Sequence, residues 1–111
     1  MKNPIRPQLC ARKLHALAAP ERLNILCYLR DGARNVTEIA GMLGTSLVNV
    51  SHHIAVLRQA GIIRGRKAGR FVYYSLTPGL LQRDEMRGRV EYFNLGCCRL
   101  EVPRNGGSDG S

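Results

Sequence analysis

Residues 46–76, SLVNVSHHIAVLRQAGIIRGRKAGRFVYYSL, leave this chain few folds to adopt. Leu47, Val50, Ile54 and Leu57 recur at three- and four-residue steps, which puts them on one face of a helix. Ser46 stands before them as an N-cap and Gly61 follows as a C-terminal stop. Ile62 to Arg66 and Arg70 to Leu76 then read as two strands joined through Lys67-Ala68-Gly69. Early in the helix, Ser46, Asn49, Ser51, His52 and His53 offer hydrogen-bonding groups of the kind that meet base edges. The hairpin carries Arg64, Arg66, Lys67 and Arg70, whose charge suits phosphates.

The charge distribution agrees with that division of labour. The formal charge is +9, and no acidic residue lies between Glu38 and Asp84, whereas Arg58, Arg64, Arg66, Lys67, Arg70 and Arg83 all do. Such a basic stretch needs a polyanion or a well-solvated surface, and its coincidence with a helix-turn-helix pattern favours nucleic acid. A membrane surface fits less well, because the basic residues sit on a hairpin and not on an amphipathic helix with aromatic anchors. No run approaches the ~18 apolar residues that a membrane span needs, and MKNPIRPQ lacks an apolar leader core. The expected location is therefore the cytoplasm, with Cys10, Cys27, Cys97 and Cys98 as thiols. The expected fold is mainly α with a β-hairpin wing: a winged helix-turn-helix, working on double-stranded DNA.

Along the chain, residues 1–7 read as an irregular lead-in, 8–78 as the winged-helix domain, 79–102 as a C-terminal segment and 103–111 as a disordered tail. Gln8 to Ala19 fits a first helix with Leu9, Leu14, Leu17 and Ala18 as its apolar stripe. Pro20 opens a second helix that runs to about Arg30 and buries Leu23, Ile25 or Leu26, and Leu29. Thr37-Glu38 opens a short third helix, and Gly44-Thr45 is the tight turn before the recognition helix. A short helical turn is expected around Leu80, Leu81 and Met86, and VEYFNLGCCRLEV reads as extended. Cys27 is expected in the core, and Tyr73 and Tyr74 as packing residues of the wing strand.

APERLNILCYLRDG followed by VTEIAGMLGTSLVNVSHHIAVLRQAGIIRGRKAGRFVYYSL resembles the ArsR/SmtB family of bacterial winged-helix repressors, over residues 8–78. The resemblance implies a homodimer that binds an inverted-repeat operator and releases it when a metal or thiol-reactive inducer binds. By the same likeness Asn49, Ser51 and His52 match the positions that meet DNA, while Arg66, Lys67 and Arg70 match the wing. Leu47 and Val48 depart from the usual polar residues, so they either touch thymine methyls or pack. His53 is equally readable as a packed histidine or as a DNA contact.

Cys97-Cys98 is a pair of soft ligands suited to As(III), Sb(III) or another thiophilic ion. Arsenite favours three sulfurs, and Cys10 is the best candidate for the third, which the family's dimer arrangement would bring from the first helix, across subunits. The cysteine-rich box of the best-known sensors is absent from the third helix, which reads Thr37-Glu38-Ile39-Ala40, and a clear fifth helix is missing. On a strand, adjacent cysteines would point to opposite faces unless Gly96 introduced a bulge. Thiol redox or persulfide sensing, and regulation with no ligand, are the alternatives. No obligatory cofactor is expected. The absence of a C-x-x-C motif in a βαβ context and of a Gly-rich phosphate loop, together with the small number of carboxylates, argues against an enzyme.

Overall fold

A computed structural model describes residues 6–102. Helix α1 (Pro7–Leu17) starts with proline, whose missing N–H costs nothing in a first turn. It buries only Ala16 and Leu17. Leu9 and Leu14 remain 45 and 46% exposed, and Ala18 is exposed too, so most of the expected stripe faces away from the core of this chain. Helix α2 (Pro20–Leu29) repeats the proline start and buries Ile25, Leu26 and Leu29, with Leu23 half-buried. Cys27 is half-buried and free.

A two-residue strand β1 (Arg34–Asn35) leads into α3 (Val36–Leu43). The cap is Asn35 and not Thr37: its side chain accepts from Glu38 N–H at 2.9 Å, and Glu38 accepts from Asn35 N–H at 2.9 Å. This reciprocal pair satisfies two backbone donors that a helix start would otherwise leave open. Gly44, at φ +68°, ends α3 in the left-handed region, and the chain bends 110° into α4 (Leu47–Gln59). That angle is typical of a helix-turn-helix. Helix α4 buries Val50, Ile54 and Leu57, whereas Leu47, placed on the same face by its spacing, is exposed in the first turn.

The wing consists of β2 (Ile63–Ala68) and β3 (Phe71–Leu76), antiparallel, with β1 on the other side of β3. Pairing runs to Ala68↔Phe71, so Lys67 belongs to the strand and the connection shrinks to Gly69-Arg70. A two-residue hairpin loop calls for positive φ, which Gly69 adopts at +66°. Gly65 faces Tyr74, and a Cβ at that position would sit 2.9 Å from the tyrosine ring. Tyr74 packs against the core, while Tyr73 meets Phe71 edge to face at 6.3 Å.

The C-terminal segment differs most from expectation. In place of a helical turn followed by one extended run, β4 (Leu81–Asp84), a 3-10 turn (Glu85–Arg87), β5 (Val90–Asn94) and β6 (Arg99–Glu101) form a second antiparallel sheet in the order β4-β5-β6. The helical turn contracts to three residues because Asp84 caps Met86 N–H and Gly88 breaks it at φ +75°. Leu80, Phe93, Leu95 and Val102 join Ile25, Leu26, Ile39, Val50, Leu57 and Ile62 in one hydrophobic core. Arg30, the C-cap of α2, clasps this sheet, donating to Glu91 at 3.2 Å and to the Val102 carbonyl at 2.9 Å. Pro7 is already helical, so the lead-in is shorter than expected; residues 1–5 and the tail 103–111 lie outside the described residues. Among the described residues no single helix is long and apolar enough to cross a membrane.

Candidate nucleic-acid interface and cysteine centre

The α4 tip is organised by its own cap. Ser46 Oγ accepts from Asn49 N–H at 3.2 Å, and Asn49 Nδ2 donates to Thr45 Oγ1 at 3.0 Å, tethering the amide to the turn. Ser46, Asn49, Ser51 and His52 are exposed, together with Leu47 at 52% and Val48 at 78%. These residues therefore present a surface of mixed polar and apolar groups, with the chemistry that base edges and thymine methyls require. On the wing Arg64, Arg66, Lys67 and Arg70 are exposed, and among the described residues none of them forms an ion pair. Their charge is available to a polyanion.

His53 turns inward. It is half-buried, and Arg22 Nη1 lies 3.2 Å from its Nδ1. Burial and then the Arg22 charge push the imidazole below its ordinary value of 6.5. Arg22 itself is 8% exposed and also donates to the carbonyls of Ala16 (2.6 Å) and His15 (3.3 Å) at the end of α1. Sequence reasoning missed it, although Arg22 is in helical phase with Ile25, Leu26 and Leu29, and that placement was the available signal.

At the other end of α1 the sulfurs converge. Cys10 sits in the first turns of α1, and Cys97 and Cys98 sit in the β5–β6 connection, outside either strand. Gly96, at φ +90°, turns the chain there, which removes the opposite-face problem of adjacent strand cysteines. All three Sγ atoms lie within 4.8 Å of one another within a single chain. Cys10 and Cys97 are joined in a disulfide with Cα atoms 6.0 Å apart, while Cys98 is exposed with its Sγ 4.0 Å from that of Cys97. The expectation of four thiols is thus corrected for two of them. It rested on compartment alone, whereas the fold brings residues 87 positions apart into bonding contact. Lys13 Nζ donates to the Leu95 carbonyl at 3.2 Å, a second tie between α1 and the same connection. A cavity of about 200 Å³ opens here, lined by Arg6, Leu9, Cys10, Lys13, Leu95 and Cys97.

The profile of bacterial regulatory proteins of the ArsR family matches residues 19–64. The chain is 47% identical over 88 residues to the HTH-type transcriptional regulator NmtR of Mycobacterium tuberculosis, an alignment covering 78% of this chain and 73% of that protein. It is 39% identical over 86 residues to the transcriptional activator HlyU of Vibrio cholerae, covering 78% and 75%. Reduced HlyU superposes with a TM-score of 0.62 at 34% identity, over 66% of this chain and 77% of that one. The homodimeric winged helix-turn-helix DNA-binding domain of Mb0332 from Mycobacterium bovis gives the same score at 34% identity, over 64% and 66%.

Proposed function

The chain belongs to the ArsR family of bacterial regulatory proteins, and from that premise we propose that it is a homodimeric repressor of an inverted-repeat operator. It leaves the operator when As(III), Sb(III) or another thiophilic ligand is held by Cys10, Cys97 and Cys98. The chain is a DNA-binding transcriptional regulator and not an enzyme. In the proposed complex Ser46, Asn49, Ser51 and His52 meet base edges in the major groove, and Leu47 and Val48 meet thymine methyls. Arg66, Lys67 and Arg70 grip phosphates, and His53 acts through the position of α4. The exposed Leu9, Leu14 and Ala18 of α1 supply apolar area for a second copy, and the similar Mb0332 domain is homodimeric. The repressor works in the cytoplasm, in keeping with DNA as its partner.

The observation that carries the sensing half is the convergence of three sulfurs from the two ends of the fold. Three thiolates suit a soft, three-coordinate ion, which when bound would clamp α1 to the β5–β6 connection. Release of DNA requires that the ligand-bound centre favour a dimer geometry that fits the operator less well, and DNA then weakens ligand binding by the same factor. The disulfide supports a second reading, in which oxidation is the signal. Cys10 and Cys97 lose two protons and two electrons to a peroxide or disulfide oxidant and form the bond seen here.

Absorbance titration of arsenite into the fully reduced protein tests the centre. One equivalent per chain is expected to bind, and Cys10→Ser, Cys97→Ser and Cys98→Ser each to lose that binding. Unchanged affinity in Cys10→Ser would contradict a three-sulfur site. After oxidation, thiol counting is expected to fall from the four cysteines of the chain to the two that are unpaired here, with arsenite binding abolished.

A further inference from the structure

We propose that Arg22 is a positioning residue for DNA recognition: through His53 it fixes the recognition helix against α1, so that operator affinity falls when His53 takes up a proton. This inference rests on the operator-binding reading above.

Arginine is the side chain this junction needs. Its planar fork spreads donors in fixed directions, and here they reach two elements besides its own. Nε and Nη2 hold the carbonyls of Ala16 and His15, at the C-terminal end of α1, where the helix dipole favours a cation. Nη1 reaches His53 on α4. A guanidinium has no lone pair to offer, so Nδ1 of His53 must be the acceptor, with the ring proton on Nε2. An imidazolium has N–H on both nitrogens. Protonation therefore replaces the 3.2 Å hydrogen bond by two donors facing each other on two cations.

The groups facing His53 all bear on that proton. From α2, Arg22 opposes it and Glu21 favours it; from α4, the neighbouring His52 opposes it; burial opposes it most. Helix α1 contributes the backbone carbonyls that hold Arg22 in place. The folded state thus prefers neutral His53. The stabilisation is fully present above the unfolded value of 6.5 and is lost as pH falls through the lower folded value. His53 lies one turn beyond Asn49 and directly after His52, so loosening it moves the surface proposed to read bases. Because α1 also carries Cys10, the same arginine links the cysteine centre to α4.

The test is fluorescence anisotropy of the full, reduced chain on a duplex from its own upstream region, at fixed ionic strength, between pH 8 and pH 5.5. His53→Gln keeps an acceptor for Arg22 but does not titrate. Relative to His53→Gln, the unsubstituted protein is expected to lose about fivefold in affinity across this window, the factor carried by one net hydrogen bond. Arg22→Met is expected to bind more weakly at pH 8 and to show the flattened profile. Should Arg22→Met fail to fold, the His53→Gln comparison decides alone. Superimposed profiles for the two proteins would overturn this proposal and leave operator binding intact. Absence of binding at every pH would overturn both. An NMR titration of His53 in the free protein is expected to give a midpoint below 6.5, and a midpoint at or above it would also overturn the proposal.

Discussion

Val48 and Leu47 are the least expected side chains at the tip of the recognition helix, since two bulky apolar groups stand in water where polar ones would cost less. The proposed contact with thymine methyls would account for them, and the methyl can be removed without touching the hydrogen-bonding edges. Replacing thymine by uracil at the contacted operator positions is expected to weaken binding by about 1 kcal/mol per methyl. In Val48→Ala the same replacement should matter less, and anisotropy on the paired duplexes measures the difference. Asn35 belongs to the same scale. Its capping box with Glu38 predicts that Asn35→Ala lowers stability by about 1 kcal/mol in urea unfolding, through the start of α3. These three residues are open to sequence reasoning in different degrees. Leu47 and Val48 stand out as departures from the family's polar pattern, whereas Thr37-Glu38 reads as the helix start where the structure uses Asn35. Only the reciprocal hydrogen bonds separate the two registers.

At the scale of elements, the helix-turn-helix and its wing were legible because each carries local punctuation. Pro20, Gly44, Ser46, Gly61 and Gly69 mark ends that the apolar spacing then fills. The wing prediction follows from its unpaired charge: Arg66→Ala, Lys67→Ala and Arg70→Ala together should reduce the slope of log affinity against log salt by roughly 2.7, if each contacts one phosphate. Of the second sheet only the extended character of residues 90–102 was legible, not its pairing or its first strand. Its strands are three to five residues long, and what holds them is distant in sequence, namely Phe93 in the core and Arg30 reaching Glu91 and the Val102 carbonyl. The Arg30 and Glu91 side chains are only 4 and 12% exposed. Arg30→Ala is therefore expected to cost about 2–3 kcal/mol, read by chemical denaturation, because it removes the charged hydrogen bonds to Glu91 and to the Val102 carbonyl and leaves Glu91 with the more exposed Arg83. The cysteine centre was half legible. The residue types and the choice of Cys10 come from chemistry and resemblance, but their meeting within one chain depends on the turn at Gly96, which the sequence offers only as a conditional bulge.

At the scale of the whole molecule, α1 is the element on which everything converges. Its start carries Cys10 and Lys13, both tied to the β5–β6 connection; its end is held by Arg22; and Leu9 and Leu14 face outward. A ligand at the cysteines therefore acts on the helix that also supplies the proposed dimer face and abuts the recognition helix. Leu14→Glu is expected to shift the protein from dimer to monomer in analytical ultracentrifugation, and to weaken operator binding with it. The most direct measurement is made on the complex itself: arsenite titrated at fixed salt into reduced protein already bound to its upstream duplex, followed by fluorescence anisotropy. Dissociation near one equivalent per chain, absent in the Cys97→Ser/Cys98→Ser double variant that still binds DNA, is the predicted result. A complex that stays intact at excess arsenite, or a double variant that is released just as readily, would contradict the account.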